Sequence, residues 1–321
     1  MVRDVDEIHG GIGTHCDMLK GGDSRLGEWY AMLLTALDIT VAGILMGGIY
    51  SLVAAGFNLQ YGVARILNIS HGEFIMLAAM ATFSLKTVFS INPFICLAIC
   101  GPAAFLLGVF FHHIVFRRLS KVSETIEAFE GRSLLACFGI LFILQNVALS
   151  IWGADERGYE FLAIPLNFGG AIFAANRVVA LIISLILGFG FYLFLTRTRT
   201  GKAIRAVTQD DMAAKVLGIK TSLMQGLCFG LGAFLAGIAG VLLSTMYAVT
   251  PLMGLQYTVI AMIVVVLGGL GNVLGSMIGG LILGILGSVA AYFHTGISLI
   301  AFYAIFTILL LLRPEGIFAR R

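Results

Sequence analysis

The sequence predicts an all-α fold: a polytopic transmembrane helical bundle of about 8–9 membrane segments, some broken at glycines. Two observations carry this. From Thr221 to Leu312 the chain runs 92 residues without one Asp, Glu, Lys or Arg. A soluble domain must also build a wetted surface, so a charge-free run of that length belongs in lipid. The composition agrees, with 59% hydrophobic residues, 12% charged residues and a mean hydropathy of +1.00. Gly is abundant at 40 residues, as expected where helices pack closely without a hydrophobic drive between them.

The candidate spans are 39–60, 66–90, 93–116, 133–152, 178–196, 222–246, 257–270, 273–291 and 297–312. The seventh is short for a full crossing and stops at Gly268-Gly269-Leu270-Gly271-Asn272, where a break or tilt is expected. Before the first span, residues 1–34 form a polar tail that reads as disordered and lacks the apolar core of a signal peptide. His9, His15 and Cys16 lie in that tail, and no metal site is expected from them. Cys96, Cys100, Cys137 and Cys228 sit in apolar runs, which suits core packing rather than disulfides or metal. The net charge of +3 comes with Lys and Arg at span ends, which gives no footprint for nucleic acid.

Orientation follows from Lys and Arg in the short loops. The loop 117–132 carries Arg117, Arg118, Lys121 and Arg132, and the loop 197–220 carries Arg197, Arg199, Lys202, Arg205, Lys215 and Lys220. These loops and the C-terminus, with Arg313, Arg320 and Arg321, are expected on the cytoplasmic side. The segment 153–177 sets Asp155, Glu156 and Glu160 against Arg157 and Arg177, and should face outward. An even number of crossings must then separate 197–220 from the C-terminus, so both 257–270 and 273–291 should cross.

Glycines recur at four-residue spacing: Gly43 with Gly47, Gly226 with Gly230, and the ladder Gly271, Gly275, Gly279. On a helix this spacing bares one face, and a neighbouring backbone can approach it. Packing of the fold is the plain reading; a surface along which helices slide is the sharper one.

Between the apolar halves lies the charged stretch 197–219. From Lys202 it reads as one or two short amphipathic helices, with Ala203, Ala206 and Val207 on one face and Met212, Val216 and Leu217 on another. Thr208 or Asp210 can cap the second helix, Asp211 suits its first turn, and Gly218 can end it in the left-handed conformation.

Asp211-Met-Ala213-Ala214-Lys-Val-Leu-Gly218 resembles the E-A-A-x-x-x-G loop of ATP-binding cassette (ABC) importer permeases. Three further stretches are similar to the branched-chain amino acid permease family of the LivH type. They are Gly48 to Phe74, including Asn68-Ile-Ser-His71-Gly72-Glu73, then Gly268 to Gly279, and Leu312 to Phe318. The resemblance covers about residues 35–318, and residues 1–30 depart from it. It implies a permease domain over 35–318 in a bacterial inner membrane, with 197–220 as a cytoplasmic coupling loop. Expected partners are a homologous second permease subunit, two cytoplasmic ATPase subunits and a periplasmic substrate-binding protein. ATP and Mg would sit on the ATPases, because this chain has no GxxxxGK[ST] phosphate loop and no cofactor of its own is expected.

The resemblance assigns ATPase coupling to Gly201, Lys202, Arg205, Gln209, Asp210, Asp211, Ala213, Ala214 and Gly218, with Arg205, Asp210 and Asp211 as direct contacts. Asn58, Gln60, Asn68, Ser70, His71 and Glu73 cluster around the first two spans. A nucleophile–base reading fails there, because adjacent helical residues point about 100° apart. His71 and Glu73 are expected to hydrogen-bond at a helix start with Asn68 or Ser70 as cap, either as a structural knot or as part of the solute route. Gln145, Asn146 and Asn272 join the same list, as route residues or as hydrogen bonds between helices. An ion-coupled carrier or channel is the competing reading, weakened by the absence of acidic residues in any span after Asp211. An intramembrane hydrolase would need a catalytic pair that is not visible.

Overall fold

The computed structural model describes residues 24–168, 171–293 and 297–312. The tail with His9, His15 and Cys16, and the C-terminal stretch 313–321, lie outside the described residues. The helices are α1 (Ser24–Ala64), α2 (His71–Phe89), α3 (Pro93–Phe111), α4 (Arg117–Val122), α5 (Ile126–Trp152), α6 (Ala175–Arg197), α7 (Arg199–Gln209), α8 (Asp211–Val216), α9 (Thr221–Ser244), α10 (Gly254–Gly268), α11 (Val273–Phe293) and α12 (Ile297–Leu312). A π-helical turn, His112–Phe116, joins α3 to α4, and a hairpin of β1 (Pro165–Phe168) and β2 (Ala171–Ala174) precedes α6.

Among the described residues, seven helices are long and apolar enough to cross a membrane: α1 from Met32, α2, α3 continued through α4, α5, α6, α9 and α11. α10 has 15 residues and α12 has 16. At 1.5 Å per residue α10 reaches about 22 Å, short of a hydrocarbon core of about 30 Å. The chain is therefore a polytopic helical membrane protein, as its composition predicts.

Several boundaries differ from the sequence reading. α1 begins at Ser24, inside the stretch read as tail. α2 starts at His71 rather than 66, because 65–70 is irregular and Arg65 takes a left-handed φ of 55°. α5 starts at Ile126 rather than 133, where Thr125 Oγ1 accepts from the Ala128 N–H at 3.2 Å. Residues 117–122, read as loop, continue the third span as helix. The hairpin was not foreseen: it is four residues per strand and lies outside the spans.

α9 is the centre of the bundle, with 83% of its apolar window buried. α3 runs antiparallel to it, with Gly101 against Phe234 and Gly108 against Ala233. α1 also crosses it closely, where a Cβ on Gly56 would stand 2.8 Å from the Gly232 carbonyl. The four free cysteines among the described residues, Cys96, Cys100, Cys137 and Cys228, are buried.

α1 and α11 form a second antiparallel pair built on glycine. A Cβ on Gly43 would meet Ile285 Cα at 2.5 Å, and one on Gly47 would meet Leu281 Cα at 2.8 Å. From the other side, Gly284 faces Gly43 and Gly47, and Gly280 faces Ser51. Gly275 and Gly279 serve a different neighbour, packing on Gly268 and Val264 of α10. Gly271 is not on that ladder. It precedes α11 with φ 81°, and an added Cβ would meet nothing within 4 Å. Its role is the turn, which glycine adopts without the strain a side chain would bring.

Candidate functional site

The six polar residues around the first two spans come together, and all are buried: Asn58, Gln60, Asn68, Ser70, His71 and Glu73. Lipid offers no partner to such groups, so they must satisfy one another. The irregular stretch 65–70 folds back along α1 and makes this possible. Asn68 Nδ2 donates to Gln60 Oε1 at 3.0 Å, and Asn68 Oδ1 accepts from the Ser70 hydroxyl at 2.6 Å and the Ser70 N–H at 3.1 Å. Gln60 Nε2 donates to the Phe229 carbonyl of α9 at 2.9 Å. His71 places Nδ1 3.2 Å from Gln60 Oε1 and Nε2 3.2 Å from the Val53 carbonyl. A neutral imidazole carries one N–H, so it donates to one of these oxygens at a time.

Asn58 joins α1 to the glycine break. Its Nδ2 donates to the Gly269 carbonyl at 3.2 Å and to Ser276 Oγ at 2.5 Å, and its Oδ1 accepts from the Gly271 N–H at 2.6 Å. Gly269 has φ 88° and Gly271 φ 81°, so the chain reverses here on two left-handed glycines held by one amide. Asn272 caps α11, with Oδ1 accepting from the Gly275 N–H at 3.0 Å.

Glu73 departs from expectation. Neither carboxylate oxygen has a hydrogen-bond partner among the described residues, although the side chain is buried. Ser70 is the N-cap residue of α2 but makes no side-chain cap bond, and Met253 at the start of α10 makes none either. These two helix starts meet, and a side chain of α10 supplies the cap that Ser70 does not. Thr258 Oγ1 accepts from the Gly72 N–H at 2.8 Å and donates to the Ile69 carbonyl at 3.0 Å. A Cβ on Gly72 would collide with the Gly254 carbonyl, and one on Gly254 would collide with the Glu73 carboxylate. Glycine at both positions is what lets the two helix ends and the carboxylate share this space. Sequence reasoning missed Thr258, Ser276 and Gly254. The first two had one signal, being small polar residues inside a charge-free run.

Gln145 and Asn146 are not part of this site. Asn146 is exposed on α5 and donates to Phe142 O of its own helix at 2.8 Å, so it bonds no other helix through that amide. Gln145 is half-buried beside it. A long helix turns residues 145 and 146 away from the knot, which the sequence order alone does not reveal.

The charged stretch forms an elbow at the opposite end of the bundle from the hairpin. Thr198 Oγ1 caps α7 by accepting from the Gly201 N–H at 2.9 Å, and Gly201 packs directly on the α6 backbone at Phe194 and Leu195. Ile204, Val207 and Ala214 are buried, so α7 faces inward through Ile204 and Val207 rather than through Ala203 and Ala206. Asp210 Oδ1 caps α8, accepting from Met212 N at 2.9 Å and Ala213 N at 3.0 Å. Asp211 pairs with Lys215, and Gly218 ends the elbow with φ 81°. Lys202, Arg205 and Gln209 are exposed. So are Met212, Val216 and Leu217, at 71%, 87% and 78%.

The fold and this site define a class: a helical membrane protein with a buried polar knot, a glycine-broken helix and a charged elbow outside the spans. Residues 39–313 match the family model described as "Branched-chain amino acid transport system / permease component", and the chain belongs to that family. It is 28% identical to the high-affinity branched-chain amino acid transport system permease protein BraD of Pseudomonas aeruginosa, over 88% of this chain and 96% of that protein. It is also 28% identical to the permease proteins LivH of Salmonella typhimurium and of Escherichia coli, each over 87% of this chain and 94% of the relative.

Proposed function

We propose that the chain is the membrane-spanning permease subunit of an ABC importer that carries small organic solutes, with branched-chain or other apolar amino acids as cargo. It would work in a bacterial inner membrane beside a homologous second permease, two cytoplasmic ATPase subunits that hold ATP and Mg, and a periplasmic substrate-binding protein. The basic elbow and the C-terminus would face the cytoplasm, and the hairpin with Asp155, Glu156 and Glu160 the periplasm.

One observation carries the reading: the exposed apolar tip of the elbow on a fixed base. Met212, Val216 and Leu217 are exposed apolar side chains on a short helix outside the apolar spans, and such a surface favours a protein partner. The elbow is continuous with α6 through Thr198 and with α9 through Lys220. A partner that pushes on α8 therefore tilts two spanning helices, one of them the most buried. Asp210 and Asp211 are engaged in the cap and the Lys215 pair, so their part is to shape the elbow. Arg205 is exposed and donates only a long bond, 3.4 Å, to the Thr196 carbonyl, which leaves its charge open to a partner.

The test is co-purification. A double change, Val216→Asp with Leu217→Asp, leaves the spans untouched and should cut the recovered ATPase subunits at least tenfold. Recovery equal to that of the unaltered chain would remove the elbow from its assigned role.

A further inference from the structure

Glu73 is a buried acid without a hydrogen bond, at a place where the start of α2 is capped by Thr258 of α10 and the N-cap residue of α10, Met253, makes no cap bond. A structural carboxylate at such depth is normally paired, because an uncompensated charge away from water is costly. Ser70, Asn68, His71 and Gln60 satisfy one another and leave it out. Its surroundings lead to the outer side. The carboxylate packs on Gly254, and Met253 just before that glycine and Gln256 two residues after it line a cavity of about 350 Å³ at the hairpin end of the bundle. Leu243, Val249 and Leu252 give that cavity apolar walls, Tyr247 and Tyr257 give it aromatic ones, and Glu156 gives it a carboxylate. No Lys, Arg or His lines it. Two arginines flank the cavity and both are engaged: Arg177 sits over the Tyr247 ring, 5.8 Å from the centroid, and Arg157, whose backbone pairs with Val249 of the wall, turns its guanidinium to the Trp152 carbonyl and the Phe83 ring.

We propose that Glu73 binds the primary ammonium group of an apolar solute that descends from this cavity into the bundle. The inference rests on the permease reading and deepens it. An acid at the outer mouth and aromatic rings along the walls favour a cation, and the unpaired carboxylate below them completes its hydrogen bonds when the ammonium arrives. The apolar walls accept the hydrocarbon part. Gly254 lies between carboxylate and cavity with no side chain to obstruct the approach. In the state seen here the first turn of α10 covers Glu73, and movement of that turn would expose it.

The test is direct binding to the full-length chain, purified in detergent with whatever subunits accompany it. Radiolabelled 3-methylbutylamine, leucine and 4-methylpentanoate are the probes: one has only the ammonium, one has both charges, one has only the carboxylate. The unaltered chain should bind the amine and leucine at least tenfold tighter than 4-methylpentanoate. Glu73→Gln should weaken the amine at least tenfold, and Glu73→Asp should recover part of the loss. Comparison of the three probes on the unaltered chain needs no variant, so it stands even if Glu73→Gln does not fold. A chain that binds none of them, or takes the carboxylate as well as the amine, overturns the proposal; so does folded Glu73→Gln protein with undiminished amine binding. Absence of co-purified ATPase would count against the importer reading alone, because amine binding is read independently of it.

Discussion

A single amide does more for the shape of this protein than any charged pair. Asn58 makes three hydrogen bonds to the α10–α11 turn and the start of α11, and those to the Gly269 carbonyl and Ser276 Oγ are buried. Asn58→Ala would strand them together, and each stranded buried group costs about 1–3 kcal/mol. The expected outcome is a loss of about 3 kcal/mol, read as a clear fall in the detergent melting temperature. A second residue-scale test contrasts glycines. Gly72→Ala drives a methyl into the Gly254 carbonyl and should abolish stable expression, while Gly139→Ala meets nothing within 4 Å and should leave melting unchanged. Outside the spans, burial pushes the Tyr159 phenol up to about 12, so its 2.9 Å bond to Ser244 Oγ is kept at physiological pH. Because the folded value is raised, this contribution is complete below the unfolded tyrosine value of about 10 and declines as pH rises toward 12. Tyr159→Phe should flatten that alkaline decline in a melting series.

At the scale of elements, the charge pattern and the glycines locate most of the structure. The elbow was legible because its caps are local: Asp210 bonds residues two and three ahead of it, and Gly218 ends α8 where a left-handed residue was expected. Removing these signals should loosen it. Asp210→Ala and Gly218→Ala each cost about 1 kcal/mol, and amide exchange at 211–217 should quicken in both while α9 stays protected. The polar knot was only half legible. Gln60, Asn68, Ser70 and His71 are close in sequence and were grouped correctly, but the groups that complete the site come from 169 to 218 residues away. Nothing local in Thr258, Ser276 or Gly254 announces that partnership. Asn146 misled for the opposite reason: polarity in a span suggests an inward role, yet an amide can satisfy itself on its own helix and face outward.

At the scale of the molecule, two halves of the site answer to opposite ends of the bundle. The elbow touches α6 and α9 at one end, and the cavity above Glu73 opens at the other. The helices between them meet through glycine, at Gly56 with Gly232, Gly43 and Gly47 with Gly284, and Gly268 with Gly275. Side-chain-free contacts of this kind let the helix backbones pack closely. Under the proposed function, a push at α8 would reach the start of α10 above Glu73 through these contacts. The charge-free run marked the apolar helices, and the shortness of α10 before Gly268 was legible in it; the hold of Asn58 on the turn that follows was not, because the two lie more than 200 residues apart.

The most direct check of this account is uptake of labelled leucine into vesicles that contain the assembled transporter and its binding protein. Uptake that requires ATP, and that stops when Val216 and Leu217 are both changed to Asp, is the result expected. Uptake at full rate without nucleotide, driven by a proton or sodium gradient through this chain alone, would contradict it.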